Sequence, residues 1–314
     1  MNNNIAIVMD LGGTKIKLGL AENGNMLCTK EMDAYSQHGL SVRLPFIQHC
    51  IDEMLRQQGI DIHKVFGMGI SIPGIVDSKK KKILSIDNKF NDAPQLDLSA
   101  WAKQNWNIPI QLENDARCAL IGEWQYGKGK GCDNVVIMTI GTGVGSSAVI
   151  EGKVLRGKHF QAGCLGGHFT INIHGQRCNC GNYGCVEVEA STWNIARIAK
   201  VSKGFAESAL AAEDAIDFES IFRCAANGDA LAMQLREECI NVWSACAVNL
   251  IHAYDPEILI VSGGVMRSAD YIIPRLQQKV AEYAWTPWGE VKVEKAQNIN
   301  TAALLGAAYL VYQS

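Results

Sequence analysis

The chain has 314 residues, of which 48% are hydrophobic and 19% charged, with a formal net charge of −3. This balance excludes a disordered chain and a strongly basic nucleic-acid binder, and the length allows two domains of ordinary size. No apolar run is long enough to span a membrane, and "MNNNIAIVMD" lacks the basic and apolar regions of a signal peptide, so a cytoplasmic protein with no membrane partner is expected.

The eleven cysteines fit a reducing compartment. Cys118 and Cys246, set among apolar neighbours, read as small buried hydrophobes.

In chain order, Ile5–Met9 is a continuous apolar run and predicts a buried strand. After Asp10, a Gly12-Gly13-Thr14 turn leads into Ile16, Leu18 and Leu20 alternating with Lys15, Lys17 and Gly19, the pattern of a half-buried strand. A helix is expected over Leu44–Gln58, with Leu44, Ile47, Ile51, Met54 and Leu55 on one face. Residues 64–77, "KVFGMGISIPGIVD", read as a strand broken at Pro73-Gly74, and Lys79–Lys82 as a solvated turn between strands. A helix capped near Asp97 or Ser99 precedes a strand Ile108–Leu112 that ends on Glu113-Asn114-Asp115. A helix over Ala116–Trp124 follows, and the glycine-rich "GKGKG" marks the crossing into a second domain.

The first hairpin then recurs. Val135–Ile140 is apolar, Gly141-Thr142-Gly143 turns, and Val144–Ile150 returns, so two similar half-molecules are expected. "HFTINI" predicts a strand with "NIHGQR" at a hairpin tip. Leu231, Leu235, Cys239, Val242, Cys246 and Leu250 define a long amphipathic helix that stops before Asp255-Pro256. "EILIVSGGVM" is a buried strand running into Gly263-Gly264, and "NTAALLGAAYLVYQ" is a small-residue apolar helix suited to close packing.

Glycine turns at the ends of buried strands expose backbone N–H groups and cradle anions. Neither turn matches the Walker or the dinucleotide-binding pattern. Asp10, in the first turn, can hold a hydrated Mg²⁺ beside phosphates. Gly263-Gly264 lets a flat ligand lie against the backbone. Asp115 stands just beyond an apolar strand, where open α/β sheets bind ligands, and can take a proton from a hydroxyl attacking phosphorus. It is equally suited to cap the helix that follows, and the two roles are compatible. Asn114 can both donate to and accept from a polyol.

Cys178, Cys180 and Cys185 form C-x-C-x₄-C and supply three ligands where zinc takes four. His159, His168 and His174 are the candidates for the fourth. His168, at the start of "HFTINI", would return beside the cysteines as the hairpin closes, completing a Cys₃His site.

Together these residues resemble the ROK family of sugar kinases and repressors, along essentially the whole chain. Asp10-Leu11-Gly12-Gly13-Thr14-Lys15 is similar to its first phosphate motif and Gly141–Gly145 to its second. Glu113-Asn114-Asp115 is similar to its catalytic strand end, and Cys178-Asn179-Cys180-Gly181…Gly184-Cys185-Val186-Glu187 to its zinc signature.

The resemblance implies an α/β actin-like ATPase (ribonuclease H-like) fold, with two domains of mixed sheets around a central cleft. The first would span 1–117 and the second 118–299, with a zinc-binding insertion near 160–190 and the C-terminal helix near 300–314 packed back on the first domain. It implies ATP and Mg²⁺ at Asp10, Gly12, Gly13, Thr14, Lys15, Gly141, Thr142, Gly143, Gly263 and Gly264. Structural Zn²⁺ would sit on His168, Cys178, Cys180 and Cys185. A hexose would meet Gly74, Asn88, Asn114, Asp115, His168 and Glu187, with phosphate passing to its 6-hydroxyl and Asp115 as general base. A homodimer or homotetramer is implied.

One stretch departs from the family pattern A-G-E-x-G-H. Residues 162–168 read A-G-C-L-G-G-H, one residue longer and without the carboxylate. Glucose or a hexose altered near C1 or C2, such as N-acetylmannosamine, is the expected substrate. The other readings are a sugar-binding sensor without turnover and a transcriptional regulator. Family regulators place a helix-turn-helix before the first phosphate motif, which begins here at Asp10, so the kinase is expected.

Overall fold

The computed structural model describes residues 5–86 and 88–314. The chain begins with a meander of β1 (Ile5–Leu11), β2 (Lys15–Glu22) and β3 (Asn25–Asp33), followed by α1 (Leu44–Gln57). Next come β4 (Val65–Ile72), the hairpin β5 (Ile75–Asp77) and β6 (Lys82–Ser85), α2 (Leu98–Trp106), β7 (Ile110–Asn114) and α3 (Asp115–Tyr126). A second meander follows: β8 (Val135–Ile140), β9 (Val144–Ile150) and β10 (Lys153–Val154). Short α4 (Val186–Glu189), α5 (Thr192–Val201), α6 (Phe218–Ala226) and the long α7 (Ala230–Tyr254) lead to β11 (Ile258–Ser262). The described chain closes with α8 (Ala269–Tyr283), β12 (Lys292–Lys295) and α9 (Ala302–Tyr312).

Two compact units emerge. One comprises Met1–Gly131, Arg156–Ala162 and Asn300–Ser314, and the other Cys132–Leu155 and Gly163–Ile299. The resemblance implied a boundary at 117/118, but the units part after Gly131, at the end of the glycine-rich stretch in which the residues themselves placed the crossing. α3 stays with the first unit because its main packing partner is α9.

The two large sheets share one plan. In the first unit the strand order is β3-β2-β1-β4-β7, and in the second β10-β9-β8-β11-β12. In each, a strand pairs antiparallel with the one after the glycine turn and parallel with a later strand on its other side. The repeated hairpin in the sequence is thus the opening of a repeated fold.

β1 reads as unbroken apolar sequence because both of its faces are covered. Ile5, Ile7 and Met9 enter one core with α1 and α2 residues, while Ala6 and Val8 pack against Leu304, Ala307, Ala308 and Val311 of α9. The core of the second unit is built around Trp243 of α7. This side chain is fully buried, 5.1 Å edge-on from Phe218, and its Nε1 donates to Ala190 O. Cys118 and Cys246 are both fully buried, and burial pushes the Cys246 thiol up to about 12.

Two elements differ from expectation. The strand placed at Ile108–Leu112 runs over Ile110–Asn114. Pro109 has no N–H to give a ladder and only accepts, from Met68 N, so pairing starts one residue later and runs on to the polar end. "HFTINI" is not a regular strand. The chain makes a 3₁₀ turn over Gly166–His168, and the strand pairing that follows is reduced to isolated bridges, Thr170 with Cys185 and Arg177 with Tyr183. Ile171 N and Asn172 N both donate to Gly184 O, which leaves no ladder to extend. Among the described residues no helix is long and apolar enough to cross a membrane.

Candidate functional site

In the first unit, β1, β4 and β7 run parallel and end together, with Asp10 opposite Ser71, Ser71 opposite Glu113, and Ile72 opposite Asn114. Loops and side chains at the carboxyl ends of such strands form the usual ligand face of an open α/β sheet. Asp10 is half-buried, and Ser71 Oγ donates to its Oδ1 at 2.7 Å. Burial pushes its carboxyl up to about 6. The Ser71 hydrogen bond opposes the shift, the Asp115 carboxylate adds to it, and the Lys17 ammonium opposes it. Asp10 and Asp115 therefore stand close enough to feel one another's charge. A carboxylate desolvated in this way is well disposed to accept a divalent cation.

Asp115 is half-buried at the first turn of α3. Its Oδ1 accepts from Asn114 Nδ2 at 2.9 Å and from Ala116 N at 2.8 Å. The helix cap is Asn114, not Asp115: Asn114 Oδ1 accepts from Arg117 N at 3.2 Å. Capping by the residue before it leaves Asp115 one position inside the helix. The Asn114 amide also donates to Gly74 O at 2.9 Å, which joins three of the expected substrate residues. Asn88 is exposed, with φ 57°, on the loop after β6.

Beneath this strand end lies a charged network that sequence reasoning missed. Glu113 and Arg117 are both fully buried. Glu113 Oε1 accepts from Asn114 N at 3.0 Å and from Arg117 Nη1 at 3.4 Å, and Oε2 accepts from Arg156 Nε at 2.8 Å. Arg117 Nη2 donates to Phe160 O and Ala162 O, both at 2.9 Å, which explains why residues 156–162 fold with this unit. The i,i+4 spacing of Glu113 and Arg117 was the available signal.

At the first glycine turn, Gly13 O accepts from Ser36 Oγ and Thr14 O from Ala34 N. The turn's carbonyls are thus tied down, while the amides of Gly12, Gly13 and Thr14 have no acceptor among the described residues. Lys15 is turned away. It lies opposite Asp33 in the β2–β3 register, and its Nζ is 2.8 Å from Asp33 and 3.7 Å from Glu31. The cation that faces Asp10 across the hairpin is Lys17.

In the second unit, the Gly141-Thr142-Gly143 turn is held by the start of α5, where Thr192 N donates to Gly141 O and Trp193 N to Thr142 O. Glu187 lies against this turn, and its Oε2 accepts from Val144 N at 2.9 Å. Gly263, at φ +99°, follows β11, and a β-carbon there would stand 2.2 Å from Ile140 O, so only glycine fits. A β-carbon on Gly264 would meet nothing within 4 Å. The A-G-C-L-G-G-H stretch is closed by Ser146, another residue that the sequence did not single out. Its Oγ donates to Gly163 O at 2.6 Å and accepts from Gly166 N at 2.9 Å.

His168, Cys178, Cys180 and Cys185 come together, with all four ligand atoms within 4.8 Å of one another. His159 and His174 are exposed and outside the group. Cys178 Sγ is 3.8 Å from His168 Nδ1, and Cys180 Sγ is 3.7 Å from Cys185 Sγ. A zinc–sulfur bond of about 2.3 Å implies a tetrahedral edge of about 3.8 Å, so the spacing fits a four-coordinate zinc. Burial pushes the Cys178 and Cys185 thiols up. Val186 N donates to Phe169 O, so the cluster also fixes His168 and Glu187 near one another.

Comparison with known proteins agrees with this architecture. The chain is 29% identical to the glucokinase of Thermotoga maritima over 97% of its own length and 96% of that protein's. Its fold superposes, at a TM-score of 0.83 and 29% identity, on a ROK family glucokinase from Streptomyces griseus solved with glucose and AMPPNP, covering 99% of this chain and 100% of that one. A ROK hexokinase from Thermus thermophilus gives a TM-score of 0.78 at 25% identity, over 98% and 99% of the two chains. The fold is that of the actin-like ATPases, in α/β form with mixed sheets. The ROK family model matches residues 6–314, and the chain belongs to the ROK family.

Proposed function

We propose that this protein transfers the terminal phosphate of ATP, with Mg²⁺, to the 6-hydroxyl of a hexose. The observation that carries this reading is the convergence of Asp10, at the end of β1, and Asp115, just past the end of β7, two parallel strands with β4 between them, with Asp115 oriented by Asn114. The similarity to glucokinases over almost the whole chain supports the same reaction class.

In this reading Asp115 takes the hydroxyl proton as the oxygen attacks phosphorus. Its Oδ1 is engaged by Asn114 and Ala116, which fixes the carboxylate for that transfer. Gly74, Asn88, Asn114, His168 and Glu187 contact the sugar. The amides of Gly12–Thr14 and those of Thr142 and Gly143 receive phosphate oxygens, the Gly141 amide being engaged by Gly143 O, and Gly263-Gly264 receives the flat base. Bound at Asp10, Mg²⁺ supplies charge neutralisation for those phosphates.

Structural Zn²⁺ on His168, Cys178, Cys180 and Cys185 holds His168 through Nδ1, leaving Nε2 for a sugar hydroxyl. Where the family motif carries a carboxylate this chain has Cys164, so the reading covers glucose and hexoses altered near C1 or C2. A homodimer or homotetramer belongs to the same reading, with light scattering as its check.

The test is ADP release with ATP, Mg²⁺ and a panel of hexoses, amino sugars and glycosides. Asp115→Asn should lower turnover by about 10²–10⁴-fold while ATP still binds. Near-normal turnover in that variant removes Asp115 as the base. No transfer to any sugar by the native protein favours a sensor.

A further inference from the structure

Lys89 was in no expected site, yet its side chain lies across the first glycine turn. A β-carbon built on Gly13 would stand 3.0 Å from Lys89 Cδ, 3.6 Å from Cε and 3.5 Å from Nζ. The aliphatic stem thus occupies the space that a side chain at residue 13 would fill, and it brings the ammonium beside the turn. No ion-pair or hydrogen-bond partner of Lys89 exists among the described residues.

The backbone around Lys89 is held in an unusual shape. Asn88 and Phe90, on either side, both have positive φ, at 57° and 48°. For a bulky residue such as phenylalanine this conformation is an outlier, and strain of this kind persists only where its surroundings enforce it. Here they do. Phe90 is fully buried, its N donates to Ser36 O at 2.8 Å, and Ser36 Oγ in turn donates to Gly13 O. Two residues on, the Asp92 carboxylate accepts from Leu40 N and Ser41 N. Core anchoring, strain and the glycine gap all act to place a cation with no partner among the described residues beside Gly13, in a turn whose three amides lack acceptors among those residues.

We propose that Lys89 is a phosphate-contacting residue that holds the terminal phosphate of a nucleoside triphosphate over the Gly12–Thr14 turn. The proposal rests on the ATP reading of this turn and adds a specific cation to it. A point charge on a flexible stem suits an anion whose position shifts during transfer. Contact with the terminal phosphate alone makes a distinctive demand, namely that Lys89 separates ATP from ADP.

The experiment is calorimetric titration of the native protein, Lys89→Met and Lys89→Arg with MgATP, MgADP and inorganic triphosphate. Lys89→Met should weaken ATP and triphosphate binding about tenfold, the worth of a charge-assisted hydrogen bond, while ADP affinity changes by less than about twofold. Lys89→Arg should recover most of the loss. Equal weakening for ATP and ADP, or no change for either, overturns the assignment. The two readings fail separately. Native transfer to sugar with an unaltered Lys89→Met profile sinks only the lysine. Lysine-dependent triphosphate binding with no transfer to any sugar sinks only the kinase. A native protein that binds neither ATP nor triphosphate sinks both.

Discussion

Arg117 has no exposed surface, and neither has the Glu113 carboxylate that it meets. Truncating Arg117 leaves the buried Glu113 carboxylate held by Arg156 but without its Arg117 partner, and strips Phe160 O and Ala162 O of their donor, a loss on the scale of a broken buried ion pair, about 3–5 kcal/mol. Arg117→Ala should lose that much stability in urea unfolding. Glu113→Gln combined with Arg117→Met should lose less than the sum of the single changes, because the two share one network. The cysteines make a separate demand. In the proposed zinc site, thiols that burial pushes up would surrender their protons to the metal, which would couple zinc binding to the fold of this loop. Elemental analysis should find one zinc per chain, and Cys180→Ser should lose the metal and sugar affinity together. Sugar binding retained in a metal-free variant breaks that coupling. Asp10, Asp115 and the cysteines were legible in the sequence because spacing and position relative to glycine turns mark them. Ser71, Lys89 and Ser146 were not, because each meets its neighbours across a span of sequence that no local pattern encodes.

At the scale of elements, α3 and α9 cross through glycine. A β-carbon on Gly306 would stand 1.9 Å from Cys118 O, and one on Gly122 2.0 Å from Ala302 O. The two backbones touch, as the small-residue composition of α9 led one to expect. Gly306→Ala cannot be absorbed by a rotamer change, because the obstacle is main chain, so the helices must part. A loss of about 1–3 kcal/mol is expected, read as a lower thermal midpoint with unchanged zinc content. The matched hairpins, the long α7 and the strand broken at Pro73-Gly74 followed from periodicity and turn chemistry. The start of β7 and the irregular 166–185 loop did not. In the first case a proline amide decides where pairing can begin, and in the second, glycine contacts and the convergence of His168 with the three cysteines replace a ladder.

Over the whole molecule, each unit repeats one sheet plan around its own core, but only the first depends on a remote part of the chain. Ala6 and Val8 of β1 find cover in α9, which enters after the entire second unit. Deleting 300–314 should therefore strip amide-exchange protection from β1 and β4 while β8 and β11 keep theirs. Equal protection in both sheets refutes this dependence.

The same layout sets an order of events during synthesis. The ribosome delivers β1 before the whole of the second unit, yet the helix that seals it leaves the exit tunnel only after β12. The second unit has all of its strands in hand before then. The earlier-made unit is thus finished after the later-made one, and while that one is synthesised it waits with one face of its central strand uncovered.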